Sequence, residues 1–140
     1  RNKEDRELKA LADKGGVVGI YMLPYITASP KQPMFDDYMQ HLEHALKICG
    51  EDHVGVGSDV PFFRVDDSDL EEMKKATEKR KTDGIAAPGE DRPTYIPDLN
   101  TPRKMELIAD SLLKRGHNSA VVEKILGNNF KRVFGEIWTA

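Results

Sequence analysis

The sequence predicts an α/β fold in which parallel strands alternate with helices. Two apolar runs, residues 17–23 and 53–59, are too short for helices and rich in valine and glycine, as is typical of strands covered on both faces. Between them, residues 35–49 carry apolar side chains at helical spacing. The order strand, helix, strand predicts a β-α-β unit with parallel strands and a right-handed crossover.

The first segment, residues 1–14, has apolar residues at helical spacing and acidic residues in its first turn, which predicts a short amphipathic helix. Gly15 follows it, where a helix end favours a residue of positive φ. The run VVGIYML at residues 17–23 is the first predicted strand. Pro24 ends that strand because proline cannot donate to a sheet ladder.

The helix over residues 35–49 shows the clearest periodicity in the chain, and Gly50 ends it. The second strand, His53–Asp59, closes on a carboxylate. Because parallel strands run in one direction, Asp59 and the residues around Tyr25 are predicted at the same sheet edge, where α/β folds place their chemistry. Asp59 is therefore a candidate catalytic residue, and an ordinary role as a turn or cap residue stays open.

Residues 61–98 differ in composition from the rest of the chain and are predicted to be an insertion. Ser68–Glu71 reads as a capping box that opens a highly charged helix to about Lys81, and residues 84–97 form a loop rich in glycine and proline. Such a connection is long for an α/β fold. It is a candidate lid or oligomer contact, or a solvated decoration without a role.

The carboxyl-terminal part is predicted to be helical. Its three helices are expected at about residues 101–116, 118–127 and 129–138. The last helix carries Phe130, Phe134 and Trp138 on one stripe, which we expect in the core.

These helices present more apolar surface than two strands can cover. A two-stranded parallel sheet also leaves both of its edges unpaired. Residues 1–140 are therefore predicted to be an incomplete part of one domain, the last quarter of a (β/α)8 barrel. Alternatively, a second chain supplies the remaining strands.

The composition excludes two classes of partner. The chain has a net charge of −3 with 21 basic and 24 acidic residues interleaved, which argues against nucleic-acid binding. The longest apolar run, residues 17–23, is far shorter than the ~20 residues of a membrane span. One cysteine, Cys49, forbids an internal disulfide, which favours a reducing compartment.

The four histidines do not predict a metal site within this chain. His41 and His44 lie three residues apart on the predicted helix, but their flanks offer no third ligand. His53 precedes a strand and is expected to be structural. His117 lies in a link between helices and receives no catalytic role.

Four segments together resemble a known family: the opening RN, GGVVGIYMLPYI, HLEHALKICGEDHVGVGSD and RGHNSAVVEKILGNNFKRVF. They are similar to the carboxyl-terminal part of the renal (membrane) dipeptidase family, the M19 metallopeptidases. The resemblance implies a (β/α)8 barrel that hydrolyses dipeptides with two zinc ions. The metal ligands are then expected upstream of Arg1, so the chain alone should be inactive. The sequence departs from the family's usual Asp-Phe-Asp-Gly after the strand, because Asp59 is followed by Val60-Pro61-Phe62.

The same resemblance implies roles for three residues. Asp59 matches the strand-end aspartate that acts as general acid or base. Arg1 matches the arginine that holds the free carboxylate of the substrate, and Tyr25 matches a substrate-facing tyrosine. The Asn128-Asn129 pair recurs in the family's ending, where it is read as a structural cap.

The expected partner is a small dipeptide, together with a homo-oligomer or a second chain segment that completes the barrel. Two alternatives stay open. The first is another metal hydrolase of the same barrel superfamily, acting on a lactone, phosphoester or cyclic amide. The second is a non-catalytic homologue that serves as a binding module after losing its metal ligands.

Overall fold

The computed structural model describes residues 2–87, 89–90 and 92–138, and its mixed α/β class matches the prediction. The described elements are α1 (Asp5–Asp13), β1 (Val18–Tyr21), α2 (Phe35–Cys49), β2 (Val54–Ser58), α3 (Asp67–Thr82), α4 (Lys104–Lys114), α5 (Ser119–Glu123) and α6 (Asn129–Ile137). Short 3-10 turns lie at Pro24–Ile26 and Pro97–Leu99. Across these described ranges, no helix has the length and apolar character needed to cross a membrane.

The two strands are parallel, as predicted, and both are shorter than the apolar runs that contain them. Val18 pairs with Val54, and the register continues until Tyr21 pairs with Ser58, which leaves Gly57 as an extra residue on β2. Within the described part of the chain the sheet contains these two strands alone, so each has one edge without a strand partner.

The glycines of the two strands permit close approaches that a side chain would block. A Cβ atom on Gly55 would lie 2.6 Å from the Phe130 ring of α6. A Cβ atom on Gly57 would lie 2.9 Å from the backbone of Gly19 on the neighbouring strand. The Gly-rich pattern of the strands is therefore explained by packing against an aromatic ring and by close contact between the two backbones.

Helix α2 forms the centre of the core. Its predicted bounds are confirmed, and it ends at Gly50, whose φ of 82° is readily adopted by glycine. Its buried side chains are Tyr38, Met39, Leu42, Ala45 and Cys49. They pack with apolar residues of every other helix except α3 and α6 and with both strands, including Met22, Val54, Ile96, Leu99, Ile108, Leu112 and Ile125.

Helix α3 is a charged surface helix that begins earlier than predicted. Its N-cap is Asp66, whose carboxylate accepts hydrogen bonds from the backbone N–H groups of Ser68 (2.8 Å) and Asp69 (3.1 Å). Asp69 accepts from the Asp66 N–H in return, at 3.0 Å. Placing the box at Ser68 was therefore wrong by two residues, because aspartate caps a helix as well as serine does.

The boundaries of the carboxyl-terminal helices also differ from the prediction. The side chain of Thr101 accepts from the backbone of Arg103 at 3.2 Å, which forms a turn, so α4 begins at Lys104 rather than at Pro102. A π-helical turn at Lys124–Asn128 joins α5 to α6, and Gly127 lies at the kink instead of ending a helix.

The aromatic stripe of α6 is not in the core of the described chain, so that prediction was wrong. Phe134 and Trp138 are 43% and 72% exposed, and their rings stack on each other with centroids 4.6 Å apart. The physical reason is the size of the sheet, because two strands offer enough surface for Phe130 but none for the rest of the stripe.

The amino-terminal end of α6 is tied to the amino-terminal ends of the strands. The side-chain amide of the buried Asn129 donates to the backbone carbonyls of Glu51 and Val54, each at 2.8 Å. Arg132 donates at 3.1 and 3.0 Å to carbonyls that precede β1 and β2. Asn129 thus has a structural role, but as a link between helix and strand, and Asn128 makes no side-chain cap.

Candidate active site

The carboxyl ends of the two strands form one edge of the sheet. The backbone N–H of Met22, just after β1, donates to the carbonyl of Ser58, the last residue of β2, at 2.7 Å. This bond joins the carboxyl ends of the two strands. Tyr25 follows β1 in a 3-10 turn and is half-buried, while Asp59 follows β2 directly and is exposed. The structure therefore places both predicted residues at this edge.

The backbone around Asp59 is strained. Ser58 and Asp59 have φ values of 42° and 61°, in the left-handed region. This conformation costs roughly 1–2 kcal/mol for a residue such as Ser58, whereas aspartate adopts it more readily. The Ser58 hydroxyl contacts both backbone groups of Val60, at 3.3 and 3.4 Å, which supports the turn locally. Strain of this kind concentrates at functional sites, so the turn that carries Asp59 is a site candidate on structural grounds.

Asn2 brings the segment before α1 to the same edge. Its side-chain amide donates to the backbone carbonyl of Tyr25 at 3.1 Å and accepts from the hydroxyl of Tyr21 at 2.9 Å. Arg1, predicted to bind the substrate carboxylate, lies outside the described residues. Its neighbour Asn2 is hydrogen-bonded to the 3-10 turn Pro24–Ile26, which contains Tyr25 and is called the tyrosine turn below.

The insertion is tied to the loop that follows β1. We use the name strap for residues 92–98. Arg92 donates to the backbone carbonyls of Ser29 (2.7 Å) and Lys31 (3.1 Å). The side-chain amide of Gln32 donates to two carbonyls of the strap, including that of Pro93 at 3.1 Å. The strap therefore holds the loop that extends from the tyrosine turn.

The end of α3 forms an ion pair with the loop that follows it. Arg80 donates through Nε and Nη2 to the two carboxylate oxygens of Glu90, at 2.8 and 3.1 Å. The hydrogen bond with Glu90, followed by the charge of Glu90, raises the pKa of Arg80. Glu90, which precedes the strap, is therefore held at the charged end of α3.

The loop after Asp59 is held by two polar side chains. The buried Lys104 donates from Nζ to the carbonyl of Pro61, and burial lowers the pKa of this ammonium group. Asn100 accepts from the N–H of Val65 and donates to its carbonyl, both at 2.8 Å. The chain leaving Asp59 is therefore fixed at several points.

Comparison with known families shows which family the chain belongs to. The model of the membrane dipeptidase family, peptidase family M19, matches residues 1–80, which is more than half of the chain. The chain belongs to the membrane dipeptidase family. The matched range includes both strands, Tyr25 and Asp59, and it ends within α3.

Named relatives agree with this membership. The dipeptidase tcpJ of Claviceps purpurea is 26% identical over 138 residues, which cover 98% of this chain and 26% of tcpJ. An amidohydrolase from Pseudomonas aeruginosa has a matching structure with a TM-score of 0.75 and 31% identity, covering 99% of this chain and 41% of that one.

A third match has the same fold at lower identity. It is a metallopeptidase from Rhodobacter sphaeroides, liganded with a phosphinate mimic of the dipeptide L-Ala-D-Ala. Its TM-score is 0.67 at 19% identity, with 99% of this chain and 32% of that chain covered. The chain thus spans about two fifths or less of the length of these three proteins.

The described residues do not fit a metal centre by themselves. Within them, no group of three or more histidine, cysteine, aspartate or glutamate residues is arranged to hold an ion. Three histidines instead have structural partners: His44 contacts Asp5 at 2.7 Å, His53 contacts a backbone carbonyl at 2.8 Å, and His117 contacts Glu43 at 3.0 Å.

Three residues of the site escaped the sequence analysis. Asn2 belongs to the opening RN segment of the resemblance, but that segment gave no reason to assign a contact to the asparagine. No sequence pattern indicated the left-handed backbone of Ser58, since serine occurs in strands and loops alike. None indicated the burial of Lys104 either, because a lysine in the first turn of a helix ordinarily faces solvent.

Proposed function

We propose that this chain is the carboxyl-terminal part of a (β/α)8 barrel and that the intact protein hydrolyses dipeptides. The observation that carries the proposal is the exposed Asp59, held in a left-handed turn at the carboxyl edge of parallel strands. Barrel enzymes place their reacting groups at this edge. Membership of the membrane dipeptidase family and the dipeptide mimic bound by the Rhodobacter sphaeroides protein support the substrate class.

In this proposal Asp59 is the general acid and base. Its carboxylate takes a proton from the attacking water as the oxygen bonds to the peptide carbonyl carbon. It then gives a proton to the amine nitrogen as the C–N bond breaks, which releases two amino acids. Arg1 holds the free carboxylate of the substrate through paired hydrogen bonds. Tyr25 contacts the substrate from the neighbouring strand end.

The proposal also includes two zinc ions in the intact protein. Since the described residues offer no ligand cluster, we place the ligands outside them and assign no step of the reaction to the metal through this chain. Two outcomes are expected. Dialysis of the intact protein against a chelator abolishes dipeptide hydrolysis and zinc restores it, whereas the isolated chain neither binds zinc stoichiometrically nor hydrolyses dipeptides.

The decisive experiment is Asp59→Asn in the intact protein. Loss of a general acid and base lowers kcat by roughly 10²–10⁴-fold. The metal content, measured by atomic absorption, stays at the wild-type value. Asp83→Asn, at an exposed aspartate that ends α3, is the matched control and retains full turnover. Wild-type kcat in Asp59→Asn removes Asp59 from the reaction.

A second candidate is an amidohydrolase acting on a substrate without a free carboxylate, and the 31% identity to the Pseudomonas aeruginosa amidohydrolase favours testing it. A dipeptide and its carboxyl-terminal amide separate the two functions. We expect hydrolysis of the free acid alone, with KM raised in Arg1→Met. Equal hydrolysis of acid and amide, or hydrolysis of a lactone or phosphoester only, favours the second candidate. Failure to bind metal favours a non-catalytic binding module.

A further inference from the structure

We propose that Phe62 and Phe63 form an apolar wall of the substrate site, so that the enzyme selects dipeptides with a large apolar side chain. The inference rests on the proposed function and deepens it by naming the substrate class. It is carried by the exposure of the two rings, by the way their loop is held and by their distance along the chain from Asp59.

The two phenylalanines are exposed to an unusual degree. Phe62 is 85% and Phe63 63% exposed, and they are adjacent in sequence. Single exposed apolar residues are ordinary, whereas two adjacent exposed aromatic side chains place a larger apolar area in contact with solvent, as is typical of a binding site.

The loop that presents these rings is held at both ends. Before them, the buried ammonium group of Lys104 binds the carbonyl of Pro61. After them, Asn100 makes two hydrogen bonds of 2.8 Å to the backbone of Val65. Burial of an ammonium group is costly, and the hydrogen bond to the carbonyl offsets part of this cost, so the contact fixes the loop at this point. The aromatic pair is therefore presented to solvent by a fixed loop.

The pair lies within reach of a bound dipeptide. Phe62 is three residues from Asp59, and three residues of chain extend over at most about 11 Å. A dipeptide whose scissile bond meets Asp59 can thus place one side chain against the rings. Residues 60–63 are Val, Pro, Phe and Phe, so this wall offers contact to an apolar group.

The test compares two substrates in the intact protein. Leucyl-leucine is the large apolar substrate and alanyl-alanine the small one. In Phe62→Ala and Phe63→Ala, kcat/KM for leucyl-leucine is expected to fall about tenfold or more through KM, since a large apolar side chain loses its contact surface. For alanyl-alanine it changes less than about threefold. Ile85→Ala, at an apolar residue of the same insertion that is 59% exposed, is the matched control and affects neither substrate.

Two results overturn the inference while the proposed function stands. One is an equal loss for both substrates, which means that the loop only positions Asp59. The other is a change of oligomeric state in sedimentation without a change in selectivity, which means that the rings form a protein interface. Phe62→Leu, which keeps an apolar side chain, distinguishes loss of contact from loss of folding and is expected to retain selectivity. If the wild-type protein hydrolyses neither dipeptide, the proposed function itself fails.

Discussion

The side-chain amide of Asn2 donates a hydrogen bond of 3.1 Å to the backbone carbonyl of Tyr25, which joins the start of the described chain to the turn after β1. The same side chain accepts from the Tyr21 hydroxyl at 2.9 Å. One asparagine therefore connects the segment before α1 with β1 and with the turn that follows it.

Replacing Asn2 with leucine removes both hydrogen bonds. We expect KM for a dipeptide to rise roughly 10–100-fold in the intact protein, because small displacements of positioning groups have effects of this size. Tyr21→Phe removes one of the two bonds and should have a smaller effect in the same direction. Steady-state kinetics measures both, and a wild-type KM in Asn2→Leu would show that this link does not position the substrate.

Arg92 connects the strap with the loop that follows the turn after β1. It binds the carbonyls of Ser29 and Lys31, so Arg92→Met should release the strap from the loop after β1. Hydrogen exchange measured by mass spectrometry should then become faster in residues 27–33 and in the strap, but not in α2.

The control for this variant is Arg103→Met. Arg103 is exposed and pairs with Glu106 on its own helix, at 2.6 Å, so its loss should leave exchange in the strap unchanged. Equal acceleration in both variants would mean that the effect is general destabilisation. Unchanged exchange in Arg92→Met would mean that the other bonds, from Gln32 and Asp98, suffice to hold the strap.

The features that were predicted correctly depend on local patterns. The bounds of α2 follow from its apolar spacing and Gly50, and parallel strands follow from the order strand, helix, strand. That order also placed Tyr25 and Asp59 at one edge. The left-handed turn at Ser58 could not be predicted, because neither serine nor aspartate demands that conformation. The strap contacts could not be predicted either, since Arg92 meets carbonyls far away in sequence.

The error at α6 has a different origin. Helical spacing indicates which face of a helix is apolar, but it does not indicate what covers that face. Phe130 packs against the strand glycines Gly19 and Gly55, whereas Phe134 and Trp138 extend beyond the two strands that the described chain provides. Asn129 was assigned a structural role correctly, and its contacts with the strand ends are the part that only coordinates reveal.

Asn129 offers a direct test of the link between α6 and β2. Asn129→Ala leaves the carbonyls of Glu51 and Val54 without this donor. The bond to Val54 is buried, and an unsatisfied buried acceptor costs about 1–3 kcal/mol, whereas the bond to Glu51 is only partly buried and its loss costs less. We therefore expect the free energy of unfolding to fall by about 1–3 kcal/mol. Urea unfolding of the intact protein measures this. Asn128→Ala, at the exposed neighbour, is the control and should change stability by less than about 0.5 kcal/mol.

A substitution at Tyr38 is expected to raise the free energy of unfolding, in contrast to Asn129→Ala. Tyr38 is fully buried on α2, and among the described residues its hydroxyl has no hydrogen-bond partner. Tyr38→Phe removes an unsatisfied buried group without leaving a cavity larger than one oxygen atom. The free energy of unfolding should therefore rise by about 1 kcal/mol at neutral pH.

The difference in the free energy of unfolding between Tyr38→Phe and the wild-type protein should also increase at alkaline pH. Burial raises the pKa of the Tyr38 hydroxyl above its ordinary value of 10.0, so the phenol stays protonated in the folded chain while it ionises in the unfolded chain. Above pH 10 the unfolded state then binds fewer protons than the folded state, and the wild-type protein loses stability as the pH rises. The phenylalanine variant lacks this loss.

Urea unfolding at pH 7 and at about pH 10.5 measures the difference, with Tyr95→Phe as the half-buried control. A stability loss in Tyr38→Phe at neutral pH would mean that the hydroxyl has a partner which stabilises the intact protein.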